Sequence, residues 1–360
     1  RDEVAPVPGR RTAIAAVGVA ARVGALWRGL TWQLDYFAFS PGSASPTNGL
    51  IDVEGTEPFP PEGDLFFTTV SSRTVTVLDW IGAQLDPAVE LRSRDDVLGG
   101  RSNEERREQN AAAMLSSQDV AEVVALRHLG FDVVEFVGAM VVAVGEDTAA
   151  EGVLEVGDVV VEAEGEAITT QIELVEAVRA LEPGATLELA IRDPDGGEPE
   201  RLDVVLGESE EGQALLGVSI VTDWEQIAAP PVDVEIAAGS VGGPSAGLAW
   251  TLTILDLLTP GELTGANRVA VTGTMELDGT VGPIGGVVQK TYAVREQGID
   301  VFIVPEADAE AARAAAGDEV QIFGVENLDE ALEALDDLGG NALALEVPGE
   351  LAEGASEPVG

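Results

Sequence analysis

The sequence predicts an α+β multidomain protein in which a β-rich module sits within or ahead of a mixed α/β domain. Three observations carry this reading. The 360 residues are 45% apolar, which suits two or three ordinary cores and not a disordered or fibrous chain. Between about residues 131 and 207, short alternating segments are punctuated by glycine-rich turns. Beyond them, strand-like runs lead through tight Gly/Pro turns into apolar helices.

Taken in order, Arg10 and Arg11 precede an uncharged stretch, Thr12 to Ala21, that reaches Trp27 only by tolerating Arg22. No run attains the ~18 apolar residues of a spanning helix. Residues 1–35 therefore read, as the alternative, as an amphipathic or degraded N-terminal anchor. Basic residues on its N-terminal side would place the bulk of the chain outside the cytoplasm at the cell membrane. From Tyr36 the text turns loop-rich through Ser40-Pro41-Gly42, Ser45-Pro46 and Pro58 to Pro61, with strands expected at Asp64–Val70 and Arg73–Leu78. Glu104 to Leu129 is helical in character: Met114, Val120, Val123 and Leu126 recur at helical spacings, and Gly130 ends the run. In the β-rich module, Thr186–Ile191 and Arg201–Leu206 flank Asp195-Gly196-Gly197 as a hairpin, and a helix is expected near Gln171 to Leu181. Asp193 and Asp195 are turn residues, since a calcium loop needs more spaced ligands and a terminal glutamate. A linker near Glu208–Gly212 leads to a strand at Val232–Ile236. Asp308 to Glu350 reads as solvated helices followed by an acidic tail, residues 341–360.

Composition excludes much. A net charge of −46, from 65 acidic and 19 basic residues, repels phosphate backbones, so nucleic acid is not a partner. Such a surface is either simply solvated or selects basic substrates. Without cysteine, thiolate chemistry, disulfides and cysteine zinc sites are ruled out. The one histidine, His128, falls at a helix end and reads as structural. It cannot supply a histidine-rich metal site, so no metal is expected. Eighteen of the nineteen basic residues are arginine, and the one lysine is Lys290. It follows Gln289, so no P-loop exists here, and pyridoxal chemistry would have to use this same residue.

Gly239 to Gly247 contains Gly243-Pro244-Ser245-Ala246, a turn between a strand and an apolar helix. Such a turn projects the Ser245 hydroxyl and sets the backbone amides of Ser245 and Ala246 near a developing oxyanion. A serine needs a base, and arginine does not lose its proton. Lys290, early in a helix expected to end at Gly298, is the side chain available for that role.

Two resemblances follow. The segment Gly152-Val153-Leu154-Glu155-Val156-Gly157-Asp158-Val159 resembles the circularly permuted PDZ domains of bacterial proteases. That resemblance implies binding of an extended peptide as an added strand, with Phe136, Val137, Gly138, Ala139 and Met140 as the loop and strand edge. Gly243-Pro244-Ser245-Ala246-Gly247, Val271-Thr272-Gly273-Thr274, Gly279, Pro283-Ile284-Gly285-Gly286, Lys290, Gly298-Ile299 and Val304-Pro305-Glu306 resemble the peptidase domain of Lon proteases. This implies Ser245 as nucleophile, Lys290 as general base, Thr272 as a supporting hydrogen-bond donor or acceptor, and no cofactor. Lon proteases carry an acidic residue three positions before the serine, where this sequence has Gly242, and an ATPase domain not seen in these residues. The layout is closer to membrane-anchored bacterial proteins that join a PDZ module to a Lon-type peptidase. Tyr36 to Gly42 and Thr68-Thr69-Val70 add to that likeness.

The expected organisation is an anchor segment at 1–35, a first part of the peptidase at 36–130, PDZ at 131–207, peptidase at 208–340 and a tail at 341–360. Met114 to Ala125 resembles an early peptidase helix, which would make the PDZ module an insertion with its groove near the dyad. The expected function is ATP-independent hydrolysis of protein or peptide substrates recruited by PDZ, in a monomer or homo-oligomer. The alternative is a non-catalytic PDZ scaffold on a vestigial peptidase fold. A trypsin-like PDZ protease is excluded, because it requires a histidine base and a Gly-x-Ser-Gly turn.

Overall fold

The computed structural model describes residues 32–145, 148–193, 197–209, 212–239, 241–349 and 351. The expected anchor at 1–35 and the tip of the 195–197 turn therefore lie largely outside the described residues. Among the described residues no helix is long and apolar enough to cross a membrane. The chain divides into two units: one joins the chain up to Ala125 with Val232–Gly349, and the other is Leu126–Pro231.

The first unit opens with β1 (Gln33–Pro46), β2 (Ile51–Glu54) and β3 (Asp64–Thr76), followed by α1 (Val77–Ala83), β4 (Glu90–Ser93), α2 (Arg94–Leu98) and α3 (Asn103–His128). Two expectations change here. The loop-rich text from Tyr36 is a strand, because Pro41 and Gly42 sit at an irregularity where the register with β3 shifts between Pro41 and Ala44. The two strands expected at 64–70 and 73–78 are one. Ser71, Ser72 and Arg73 pair onward with Ser40, Phe39 and Ala38 instead of turning. The strand stops at Thr76, whose side chain forms a reciprocal cap with Asp79 and starts α1.

The second unit contains β5 (Val134–Val144), β6 (Val159–Ala163), β7 (Glu166–Ala167), α4 (Gln171–Arg179), β8 (Thr186–Arg192), β9 (Glu200–Val205), β10 (Gly207–Glu208), β11 (Ala214–Leu215) and β12 (Val218–Gln226). Its main sheet runs β12-β5-β6-β8-β9, with β7 on β6. Alternating Leu187 and Leu189 face a core with Ala139, Val141, Val160, Leu174 and Val204. The module thus continues past the 207 boundary and the linker expected at 208–212. Gly207 and Glu208 pair with Leu215 and Ala214 as β10 and β11, and β12 then joins β5 over the whole of Val218–Gln226. The alternation of β12 was hard to read because most of its side chains are partly exposed on both faces.

The chain then returns to the first unit with β13 (Asp233–Ile236), α5 (Gly247–Leu258), β14 (Arg268–Val271), β15 (Thr274–Met275), β16 (Val281–Gly282), α6 (Val287–Glu296), β17 (Val301–Pro305), α7 (Glu306–Ala316), β18 (Gln321–Val325) and α8 (Leu328–Asp337). Its sheet has the order β18-β17-β14-β3-β1-β4. β18, β17, β14 and β3 run parallel, and β1 and β4 close the sheet antiparallel. β17 is buried at every position, as a parallel strand covered on both faces must be. In α5 every residue but Leu257 is buried, which is why this helix reads as apolar throughout instead of amphipathic. Asn341 is no loose tail: its side chain donates to Pro260 O and accepts from Glu262 N, both at 3.0 Å, and Ala342 is buried.

Phe302 of β17 is fully buried in the cluster that includes Val287 and Val294 of α6 and Ala309 and Ala312 of α7. Replacing it with alanine is expected to cost about 3–5 kcal/mol, read as a lowered urea midpoint for this unit.

Candidate active site

Ser245 is held in a turn fastened from two sides. Gly243 adopts φ 93°, a conformation natural to glycine, and its amide donates to Asn110 O at 2.7 Å. The Ser117 hydroxyl donates to Pro244 O at 3.1 Å. Both partners lie on α3, so this helix braces the turn even though the second unit separates the two in sequence. From the other side, Gly273 N at 3.0 Å and the Thr272 hydroxyl at 2.9 Å donate to Ser245 O. The amides of Gly247 and Leu248 are used within the turn, donating to Pro244 O and Gly273 O. Those of Ser245 and Ala246, just ahead of α5, have no backbone partner among the described residues and stand at a helix N-terminus.

Lys290 sits in the first turn of α6 and is 2% exposed. Its Nζ lies 2.6 Å from Ser245 Oγ and 2.8 Å from Thr272 Oγ1. Burial lowers its pKa from the ordinary 10.5 to about 7, and the Asp308 carboxylate opposes that fall. At neutral pH a large fraction of the amine is thus unprotonated, and its lone pair can accept the serine proton along the 2.6 Å contact. Thr272 Oγ1 faces both the amine and the serine carbonyl and fixes the rotamer of Lys290.

The sequence-derived residues Ser245, Lys290 and Thr272 are brought together, with the amides of Ser245 and Ala246 beside them. Gly242, at the position where an acidic residue was noted as absent, packs on α3. A Cβ there would lie 3.0 Å from Asn110 Cβ, so a carboxylate could not enter without displacing that contact. Asp308 was missed. It lies in the first turn of α7 and accepts from Ile284 N at 2.9 Å, tying the Pro283–Gly286 loop that leads into α6. Its signal was the Pro305-Glu306-Ala307-Asp308 helix start, which reads as ordinary capping. In front of Ser245 is a cavity of about 510 Å³ whose lining includes Phe67, Thr68, Met114, Gly285 and Lys290.

Phe136 to Met140 do not form a sheet edge. They belong to β5, where Phe136, Gly138, Ala139 and Met140 pair with Trp224, Asp223, Thr222 and Val221 of β12, and Ala139 and Met140 pair also with β6. The backbone that was to receive a peptide strand is already occupied by β12. The sheet edge on this side is β12 itself. Beside it, a cavity of about 260 Å³ is lined by Leu174, Val178 and Arg179 of α4 and by Leu216, Val218 and Ile220.

Comparison with known proteins agrees with this division. Residues 219–336 match the family model of the Lon protease (S16) C-terminal proteolytic domain, and residues 97–206 match that of the PDZ domain. The borders differ from the packing: α3 falls in the PDZ match, yet Asn110 and Ser117 bond the serine turn. Hydrogen bonding decides, and the helix up to Ala125 belongs with the serine. Lon protease 1 of Herpetosiphon aurantiacus is 38% identical over 130 residues, 35% of this chain and 15% of that protein. Lon protease of Clostridioides difficile is 29% identical over 180 residues, 46% of this chain and 23% of that protein. The chain thus spans less than a quarter of the length of these relatives. The PDZ domain of the SdrC-like protein of Listeria monocytogenes is 25% identical and covers 24% of this chain and 90% of its own, with a TM-score of 0.22. One segment of the chain thus matches the Lon protease C-terminal proteolytic domain and another matches the PDZ domain.

If the Lys290 amine must be neutral to act, kcat/KM falls on the acid side with an apparent pKa near 7. Asp308→Asn removes the charge that favours the ammonium, so this acid limb is expected to move to lower pH. A limb unmoved in that variant removes Asp308 from the electrostatics of the site.

Proposed function

We propose that the protein hydrolyses peptide bonds of protein substrates through Ser245 and Lys290, without nucleotide in this chain, and that its PDZ unit recruits those substrates by their C-termini. The observation that carries the reading is the 2.6 Å contact between a buried, readily neutral amine and a serine hydroxyl. Lys290 takes the Ser245 proton as Oγ attacks the scissile carbonyl. The amides of Ser245 and Ala246 receive the developing oxyanion. Collapse expels the amine with the proton held on Lys290, leaving an acyl-enzyme; Lys290 then deprotonates the water that attacks the ester and returns this proton to Ser245 Oγ as the acyl bond breaks. Thr272 keeps Nζ on the line to Oγ throughout. A vestigial scaffold has no need of a buried lysine, since a shape-matched apolar side chain would be more stable there.

For recruitment, the edge of β12 supports the reading. A peptide added beside Val218–Thr222 would set its last side chain among Leu174, Val178 and Ile220. The Leu216 and Gly217 amides have no backbone partner among the described residues, while the carbonyls of both are taken by Ala150 N and Gly145 N. With Gly217 at φ 86°, this turn presents N–H groups to a terminal carboxylate, and Arg179 lines the same cavity. At the other end Thr222 Oγ1 accepts from Gln171 N at 3.1 Å and closes the groove, so only the last few residues of a chain are read.

Two measurements test these parts separately. Ser245→Ala and Lys290→Arg are each expected to reduce cleavage of unfolded casein by on the order of 10³-fold or more. Cleavage by Lys290→Arg at the parental rate would falsify the assignment of the base. A fluorescent peptide ending in valine is expected to bind the parent, to lose binding when its C-terminus is amidated, and to bind at least ~10-fold more weakly to Val175→Glu, which puts a carboxylate into the lining of the same cavity. Equal binding of the acid and amide forms would exclude carboxylate capture at the Leu216–Gly217 turn.

A further inference from the structure

One wall of the cavity before Ser245 is lined by four hydroxyl-bearing residues, Ser43, Ser45, Thr68 and Thr69. Three are committed to one another. Ser43 N donates to Thr69 Oγ1 at 2.9 Å, the Ser43 and Thr69 hydroxyls lie 3.2 Å apart, and Ser45 Oγ donates to Ser43 Oγ at 3.0 Å. Thr68 differs. The residue is 3% exposed, and its Oγ1, shielded from solvent, has no hydrogen-bond partner among the described residues. A buried hydroxyl left without a partner is disfavoured and uncommon.

Its position gives the orphan a meaning. Phe67, the preceding residue on β3, meets Trp250 of α5 with ring centroids 5.0 Å apart. Strand alternation sends Thr68 to the opposite face together with Phe66, which packs in the cluster that holds Val287 and Val294 of α6. That is the face covered by the helix bearing Lys290. Valine would fill the same space on this face with no unmet polar atom.

We propose that Thr68 is a substrate-positioning residue whose hydroxyl hydrogen-bonds the main chain of the peptide lying across the cavity at Ser245. The bond missing in the free protein is made in the complex, so the group contributes to binding or to alignment of the scissile carbonyl and nothing to the stability of the free fold. This rests on the peptidase reading above.

The test compares the full chain with Thr68→Val and Thr68→Ser, using a fluorogenic peptide cut from casein. The readouts are kcat, KM, the acid limb of the pH profile and the thermal midpoint. Thr68→Val is expected to lower kcat/KM about 10-fold, with the midpoint unchanged or raised and the acid limb unmoved. Thr68→Ser is expected to stay within about 3-fold of the parent. Parental kcat/KM in Thr68→Val overturns the proposal. So does a midpoint lowered by several degrees, because the hydroxyl would then serve the free fold. A parent with no Ser245-dependent cleavage overturns the peptidase reading and this proposal with it, whereas a parent that cleaves as well as its valine variant overturns only the latter.

Discussion

The rest of the peptidase unit depends on keeping one primary amine out of water. A fall in the Lys290 pKa from 10.5 to about 7 corresponds to on the order of 5 kcal/mol that the fold forgoes at neutral pH. The sign follows from linkage. The folded pKa lies below the unfolded one, so the destabilisation is complete below about 7 and is relieved as the pH rises toward 10.5. Domains have only about 5–15 kcal/mol of net stability, so this deficit has to be offset by packing elsewhere. The fully buried Trp250, Leu252, Ile254 and Leu255 of α5, and β17 with every residue buried, are where that offset resides.

The same constraint explains why the unit is discontinuous in sequence. The serine turn is held from outside, because the Gly243 amide and the Pro244 and Ser245 carbonyls find their partners beyond it. α3, from before the second unit, supplies Asn110 and Ser117, and the turn that follows β14 supplies Thr272 and Gly273. β3 lies alongside β14 in the same sheet, Asp64 opposite Arg268 and Phe67 opposite Val271. The contacts of the dyad itself lie within residues 245–290, and the other half of the unit adds the bracing of its turn.

The chemistry was legible where it needed a rare residue type in a short motif, and illegible where it needed only geometry. Lys290 could be read because it is the one lysine of the sequence, Ser245 because it stands in a Gly-Pro turn ahead of an apolar helix, and Thr272 through the resemblance of Val271-Thr272-Gly273-Thr274 to Lon peptidases. Asp308 and Thr68 could not, since an acid in a helix's first turn and a threonine in a strand are ordinary in sequence. Their roles come from what they face or fail to bond. The fold shows the same division. α3 and the β8–β9 pair follow from periodicity, but β1 was hidden by Pro41-Gly42 at a bulge, and β3 by a polar Ser71-Ser72-Arg73 segment that stays extended because β1 pairs with it.

The Phe136–Met140 assignment failed for a more general reason. A glycine-flanked apolar run marks a strand that packs closely, and Gly138 does so: a Cβ there would meet Val159 at 2.5 Å. Close packing is a property of interior strands, whereas a peptide-accepting strand must leave one row of backbone groups unpaired. Such a strand is more polar and less regular in burial, as β12 is. The most hydrophobic strand of a β-rich binding module is therefore the wrong place to look for its ligand. The weakly patterned strand after the Leu215-Leu216-Gly217 turn, at the far end of the module, is the sheet edge on which the proposed recruitment rests.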